Sequence, residues 1–93
     1  MTPEIEKYLI LSTAHISKKD GELLAKEDNE HIIVDNYDFG WRVMISDLDI
    51  HCIIANFSPG FIAAIIFAIT NDCQWIKLDE DGPIYDNLKT YTW

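Results

Sequence analysis

The sequence predicts an α+β fold, a ferredoxin-like split β-α-β-β-α-β sandwich with a four-stranded, mainly antiparallel sheet and helices on one face. Residues 39–45 alternate between apolar and other side chains directly after a short turn, which predicts a β-hairpin. Residues 58–70 open with Ser-Pro and continue as a nearly all-apolar run, which is typical of a capped helix. Further apolar segments complete the order of strands and helices. The 93 residues predict a single globular domain over 1–93.

The chain begins with a predicted strand and helix. Residues 8–11 form a short continuous apolar run, which predicts a strand buried on both faces. Ser17 is placed to cap a helix over 18–28, and Asp20 in its first turn comes close to the capping-box pattern.

The hairpin follows from β-branched and alternating residues. Residues 31–35 (HIIVD) predict a strand, and residues 36–38 supply turn chemistry. The next strand, 39–45, is expected to place alternate apolar side chains on one face: Phe39, Trp41, Val43 and Ile45. Arg42, on the opposite face, is a candidate to pair with a carboxylate.

Residues 46–57 fit two interpretations. Their isoleucines recur at helical spacing, and Asp47 could cap such a helix. The same Ile-rich run also fits a strand, and we favour the helix. The buried side of this helix would carry Ile50, Ile53, Ile54 and Phe57.

The capped helix after Ser58 is apolar on all sides. Its core face is expected to carry Phe61, Ile62, Ile65, Ile66 and Ile69. The opposite side, with small residues and Phe67, must also be covered, either by the preceding short helix or by a second copy in a homodimer. Residues 73–78 then predict the last strand, 79–83 its turn, and the aromatic residues of the final segment predict that this segment docks on the body.

Charge is the strongest compositional signal. Sixteen acidic residues face seven basic ones, which gives a formal net charge of −9. A field of this sign repels nucleic acid and anionic lipid and attracts basic proteins, although it also serves solubility alone. The N-terminus lacks the pattern of a signal peptide, and the apolar stretch 60–70 is too short to span a bilayer. We therefore expect a soluble cytoplasmic protein that binds neither nucleic acid nor membrane directly.

Motifs for metals or catalysis are weak. Asp79, Glu80 and Asp81 before Gly82 resemble part of a calcium loop, but position 88 is Leu where the loop needs Glu. Cysteines and histidines show no metal-ligand spacing, so no metal and no cofactor is expected.

A catalytic alternative rests on the end of the first strand. Ser12 and His15 could act as nucleophile and base, but no nucleophile elbow or ordered acid partner accompanies them. No catalytic residue is assigned, and a small enzyme using Ser12 and His15 stays an alternative.

Five motifs are spread along the chain: STAH at 12–15, YDFGW at 37–41, FSPGF at 57–61, CQWIKLDEDGP at 73–83 and LKTYTW at 88–93. With them the chain resembles a family of small uncharacterised bacterial proteins carried largely on plasmids and prophages. Thr92 stands where such families often have Asp before the final Trp, which weakens the idea of a catalytic carboxylate there. The resemblance implies a mobile-element context, in which small acidic proteins often bind and block a host or rival protein.

These observations predict a non-enzymatic inhibitor of a basic nucleic-acid-binding protein, of the anti-restriction or anti-CRISPR type. An immunity protein that neutralises a nuclease toxin is the alternative with the same physics. The side chains expected to contact the partner are clustered carboxylates and one aromatic residue: Asp79, Glu80, Asp81, Asp47, Asp49 and Phe67.

Overall fold

The computed structural model describes residues 3–26, 32–46 and 48–93. Within them the chain forms four strands, three α-helices and a 3₁₀ turn. In chain order these are β1 (Tyr8–Ser12), the 3₁₀ turn (Thr13–His15), α1 (Lys18–Leu24), β2 (Val34–Tyr37), β3 (Gly40–Met44), α2 (Ile50–Asn56), α3 (Pro59–Thr70) and β4 (Trp75–Asp79).

The sheet is mixed, with strand order β1-β4-β3-β2. The β2–β3 and β3–β4 pairs are antiparallel, whereas β1 runs parallel to β4 from the pair Tyr8–Trp75 to the pair Ser12–Asp79. The predicted α+β class is confirmed. The ferredoxin-like topology is not, because β1 lies at the edge of the sheet and runs parallel to β4. The order of elements along a chain does not specify the order of strands in a sheet.

The sheet is buried on one face. Leu9 and Leu11 of β1 belong to the core, while Tyr8 and Ile10 are 41% and 44% exposed. Buried residues of all three helices join the same cluster, so the helices cover the face that carries Leu9 and Leu11. The prediction that β1 is buried on both faces is therefore wrong, since none of the described helices covers its opposite face.

The hairpin forms later in the chain than predicted. β2 covers Val34–Tyr37 rather than 31–35, and residue 31 lies outside the described residues. Trp41, Val43 and Ile45 share the covered face as expected, but Phe39 lies in the turn and is exposed. Gly40 closes that turn with φ 155°, and a Cβ there would lie 1.8 Å from the Leu78 carbonyl oxygen, so only glycine fits.

The helix caps follow the sequence signals. Ser17 and Asp20 form the predicted capping box of α1, although α1 ends at Leu24 and residues 27–28 of the predicted helix lie outside the described residues. Ser58 caps α3 with Pro59 at its first position, as predicted. The helical interpretation of 46–57 is confirmed for α2, but its cap is Asp49 rather than Asp47.

Two predicted helix faces are rotated. On α3 the buried residues are Gly60, Phe61, Ala64, Ile65 and Ala68, whereas Ile66 and Ile69 are 56% and 55% exposed. Close packing explains this choice, because small residues let the helix backbone approach its neighbours; a Cβ at Gly60 would lie 2.6 Å from the His15 carbonyl oxygen.

The buried face of α2 also differs from the predicted one. Ile53 is its only buried residue, and Ile50 and Ile54 are exposed.

Candidate functional site

A cleft of about 500 Å³ opens where β1 ends, beside the β2–β3 turn. We call it the aromatic cleft. Its walls come from the end of β1, the hairpin turn, the turn after β4 and the C-terminal segment: Ser12, Thr13, Ala14, Asp38, Phe39, Gly40, Trp41, Glu80, Tyr91 and Trp93.

His15 fixes the C-terminal segment that closes the cleft. Its ring is fully buried, and the Tyr85 N–H donates to Nε2 at 2.9 Å. Nε2 is therefore unprotonated, so Nδ1 carries the proton and donates to the Lys89 carbonyl at 2.8 Å. Both ring nitrogens thus form hydrogen bonds with the C-terminal segment (the tail, residues 84–93). The Tyr91 N–H in the same segment donates to the Ala14 carbonyl at 2.7 Å. The expected docking of the last residues is thus observed.

Ser12 also has a structural role. The Ser12 Oγ accepts a hydrogen bond from the Ala14 N–H at 3.0 Å and caps the 3₁₀ turn. The residue is 5% exposed. Because the tail occupies both nitrogens of His15, neither is free to take a proton from Ser12. This arrangement counts against the enzyme alternative.

Hydrogen bonds at their polar atoms hold two aromatic rings of the cleft. The Trp93 Nε1–H donates to the Ile16 carbonyl at 3.0 Å, and the Tyr91 hydroxyl accepts from the Gly60 N–H at 3.0 Å. The tips of the Trp41 and Trp93 rings both lie near Gly21, where an added Cβ would lie 3.3 Å and 3.0 Å from their Cη2 atoms. A side chain at this glycine would therefore displace the aromatic wall.

Carboxylates border the cleft on two turns. Asp38 and Glu80 line it, and the Glu80 N–H donates to the Phe39 carbonyl at 2.9 Å, which ties the two turns together. Asp79, beside them, serves the fold. Its Oδ1 accepts from the Asp81 N–H and its Oδ2 from the Tyr37 hydroxyl, each at 2.8 Å. These two bonds, with the charge of Lys77, hold the pKa of the Asp79 carboxyl below its usual range.

Nearby basic side chains lie on the uncovered face of the sheet. The Arg42 guanidinium carbon and the Lys77 Nζ lie 5.6 and 5.4 Å from the centre of the Tyr37 ring. Arg42 also forms an ion pair with Asp35 across the hairpin, which confirms the prediction that it pairs with a carboxylate. The described residues that line the cleft include no lysine or arginine.

The predicted contact residues separate into two groups. Asp79, Glu80 and Asp81 lie together at the turn after β4, where Asp79 pairs with Gly40 at the start of β3. Asp49, the cap of α2, comes after the other end of β3. Asp47 lies outside the described residues.

Phe67 is half-buried. Its ring meets that of Tyr85 edge to face, with the centroids 5.2 Å apart. The C-terminal segment therefore covers part of the helix side that the sequence left without a partner.

The sequence did not reveal five residues of the cleft. The aromatic residues of the C-terminal segment predict that it docks but not where, and the alternation of β3 predicts only a core position for Trp41. The missed residues come from the hairpin and from the C-terminal segment: Asp38, Phe39, Trp41, Tyr91 and Trp93.

Residues 8–93 match the family described as "Family of unknown function (DUF5983) C-terminal domain". The chain belongs to this family. No curated protein and no solved structure matches the sequence. The predicted resemblance to an uncharacterised family is thus confirmed, while carriage on plasmids or prophages stays a prediction. Membership in DUF5983 gives no sign of catalytic activity.

Among the described residues, no helix has both the length and the apolar character needed to cross a membrane. No three His, Cys, Asp or Glu side chains in this part of the chain come together in a way that could hold a metal ion.

Proposed function

We propose that this protein is a non-enzymatic, acidic binding protein of a mobile element, and that it inhibits a basic nucleic-acid-binding protein. Anti-restriction and anti-CRISPR inhibitors are of this kind. An acidic surface competes with nucleic acid for the same basic surface and speeds encounter with it.

One observation carries the proposal: the described lining of the aromatic cleft includes two carboxylates and no lysine or arginine. Asp38 and Glu80 line the cleft and Asp81 is exposed on the adjacent turn, while Arg42 and Lys77 lie against Tyr37 on the uncovered sheet face. The net charge of −9 gives the whole molecule the same sign. Negative charge is thus concentrated beside a concave surface, where a partner can desolvate it.

The first experiment captures the partner. Tagged protein is used to isolate bound proteins from its native host, and mass spectrometry identifies them. The proposal expects a basic nucleic-acid-binding protein whose activity falls when this protein is added. A nuclease toxin encoded beside it would select the immunity-protein alternative, and a partner without a basic surface would overturn both.

The second experiment tests the charge. Because Asp79 holds the turn, the variant is the double change Glu80→Gln with Asp81→Asn, and Asp72→Asn after α3 is the matched control. At about 0.1 M salt the double variant should bind the captured partner about tenfold more weakly, whereas the control should bind like wild type.

Salt provides the internal check on that result. At about 1 M salt the Debye length shrinks to about 3 Å, so the difference between variant and wild type should nearly vanish. Equal affinities at both salt concentrations would remove the support for charge-based binding. Sedimentation velocity on the free protein would check the separate prediction of a homodimer.

A further inference from the structure

We infer that the aromatic cleft receives an arginine side chain of the basic partner; this inference rests on the proposed function and specifies its contact. A guanidinium is planar and cationic, so it stacks on aromatic faces and donates two parallel hydrogen bonds to a carboxylate. The cleft offers both kinds of group within one concavity.

The aromatic walls supply the stacking surface. Trp41, Tyr91 and Trp93 line the cleft, and hydrogen bonds at their polar atoms hold Tyr91 and Trp93 in place. Trp93 is 56% exposed despite its hydrogen bond to Ile16. Rings fixed before binding lose little conformational freedom when a ligand arrives, which favours affinity. A cation within about 6 Å of a tryptophan or tyrosine ring centre is attracted by the ring's electron distribution.

The charges select a cation over a neutral ligand. Asp38 and Glu80 lie on different turns of the cleft lining, and within the part of the chain that the structure describes no lysine or arginine lines it. A neutral side chain can donate hydrogen bonds to these carboxylates but leaves their charge unbalanced, and an anionic one is repelled, whereas a guanidinium both donates to them and offsets their charge. The volume of about 500 Å³ accommodates a guanidinium with its aliphatic stem.

An intramolecular cation already uses one of these rings. The Lys89 Nζ lies 5.1 Å from the centre of the Tyr91 ring, although Lys89 is not part of the cleft lining. The protein thus shows on one ring of the wall the type of interaction that we assign to the partner's arginine.

Nuclear magnetic resonance of the indole N–H groups tests the inference without the partner. The chain has three tryptophans, and Trp75 serves as an internal reference because its Nε1–H bonds Glu6 and its ring stacks on Tyr8 away from the cleft. N-acetyl-L-arginine amide should shift the signals of Trp41 and Trp93 but not that of Trp75. N-acetyl-L-citrulline amide, a neutral analogue of the same shape, should shift none of them.

Two matched variants then test whether the negative charge in the cleft is what binds the arginine amide. Glu80→Gln keeps the shape of the side chain and should weaken arginine-amide binding about threefold, while Asp72→Asn should leave it unchanged. Equal shifts with arginine and citrulline, no shifts with either, or equal effects of the two variants would overturn the inference.

The experiments distinguish a failure of the arginine-site inference from a failure of the proposed function. If arginine amide does not bind, but the captured partner still binds the wild type with strong salt dependence, only the assignment of the cleft is lost. If partner binding is also indifferent to salt and to the Glu80→Gln, Asp81→Asn double change, the proposed function is lost with it.

Discussion

At the scale of single residues, one buried carboxylate joins two helices. Asp20 is 1% exposed, and its Oδ2 accepts from the Ser17 N–H while its Oδ1 accepts from the Ser58 N–H, each at 2.8 Å. It also accepts from the Ser58 hydroxyl. Ser17 and Ser58 are the caps of α1 and α3, so a single side chain sets the position of one helix start relative to the other.

Removing this carboxylate should destabilise the protein strongly. Asp20→Ala leaves the Ser17 and Ser58 N–H groups without a buried acceptor, and we expect the free energy of unfolding to fall by about 2–4 kcal/mol. Urea denaturation followed by circular dichroism measures this. The exposed Asp86→Ala serves as control and should change stability by less than about 0.5 kcal/mol. Similar values for the two variants would contradict the bridging role.

A second residue-scale feature is the bond between Tyr37 and Asp79. Burial raises the pKa of the Tyr37 hydroxyl to about 12, and the hydrogen bond to Asp79 adds to this. The Asp79 pKa is lowered, so the stability that its two bonds contribute is present above the usual range of an aspartate and is lost as pH falls through the lowered pKa. For Tyr37 the contribution is present below its usual pKa and is lost as pH rises through about 12.

Tyr37→Phe should therefore raise the pKa of Asp79. The value should stay below the usual range, because the Asp81 N–H, the larger cause of the shift, still donates to Oδ1. A carbon-13 titration of the side-chain carboxyl group measures it, with Tyr8→Phe as control. An Asp79 pKa that is the same in Tyr37→Phe and wild type would show that the phenol does not stabilise the carboxylate.

At the scale of elements, the orientation of α3 decides which isoleucines form the core. Ile65 is 1% exposed and belongs to the core cluster, whereas the adjacent Ile66 faces away from it. An apolar residue at the surface of a helix contributes little to stability, however hydrophobic the segment looks in the sequence.

Two adjacent alanine variants test this orientation. Ile65→Ala should lower the free energy of unfolding by about 2–4 kcal/mol, because it leaves a cavity beside the sheet. Ile66→Ala should change it by less than about 0.5 kcal/mol. Guanidinium denaturation of both proteins gives the comparison, and the reverse ranking would mean that α3 is turned the other way.

Local sequence signals predicted where helices and strands form better than they predicted which helix face is buried or which strands pair. The caps at Ser17 and Ser58 depend on a few neighbouring residues, so they could be predicted. The buried side of α3 depends on how closely the helix approaches the rest of the molecule, and at 100° per residue an all-apolar helix favours no side. The edge position of β1 depends on pairing with a strand far along the chain, which periodicity does not encode.

The same distinction holds for the candidate site. The acidic turn at 79–81 could be found because its charges are adjacent in the sequence. The aromatic cleft could not, since it needs the tail to be held by His15, whose partner Lys89 lies 74 positions away. The aromatic residues of the tail predicted that it docks on the rest of the protein, but they did not predict which surface it contacts.

At the scale of the whole molecule, the C-terminal segment completes both the sheet edge and the cleft. The Ser12 N–H donates to the Pro83 carbonyl at 2.9 Å, and the Tyr85 hydroxyl donates to the Ile10 carbonyl at 2.8 Å. These bonds satisfy groups on the outer side of β1, which would otherwise offer a pairing surface to other chains. The segment that protects the sheet thus also carries Tyr91 and Trp93 to the proposed arginine site.

The parallel pairing of β1 with β4 has a consequence for how the chain folds. Lys7 and Gln74, which are joined by a hydrogen bond beside the first pair of the register, are 67 positions apart. Closing so long a loop costs entropy before any contact across it forms, so folding should be slow for a domain of this size. During synthesis β1 emerges first and has no partner in the sheet until residues 75–79 have left the ribosome, so its apolar Leu9 and Leu11 stay open to misassociation until then.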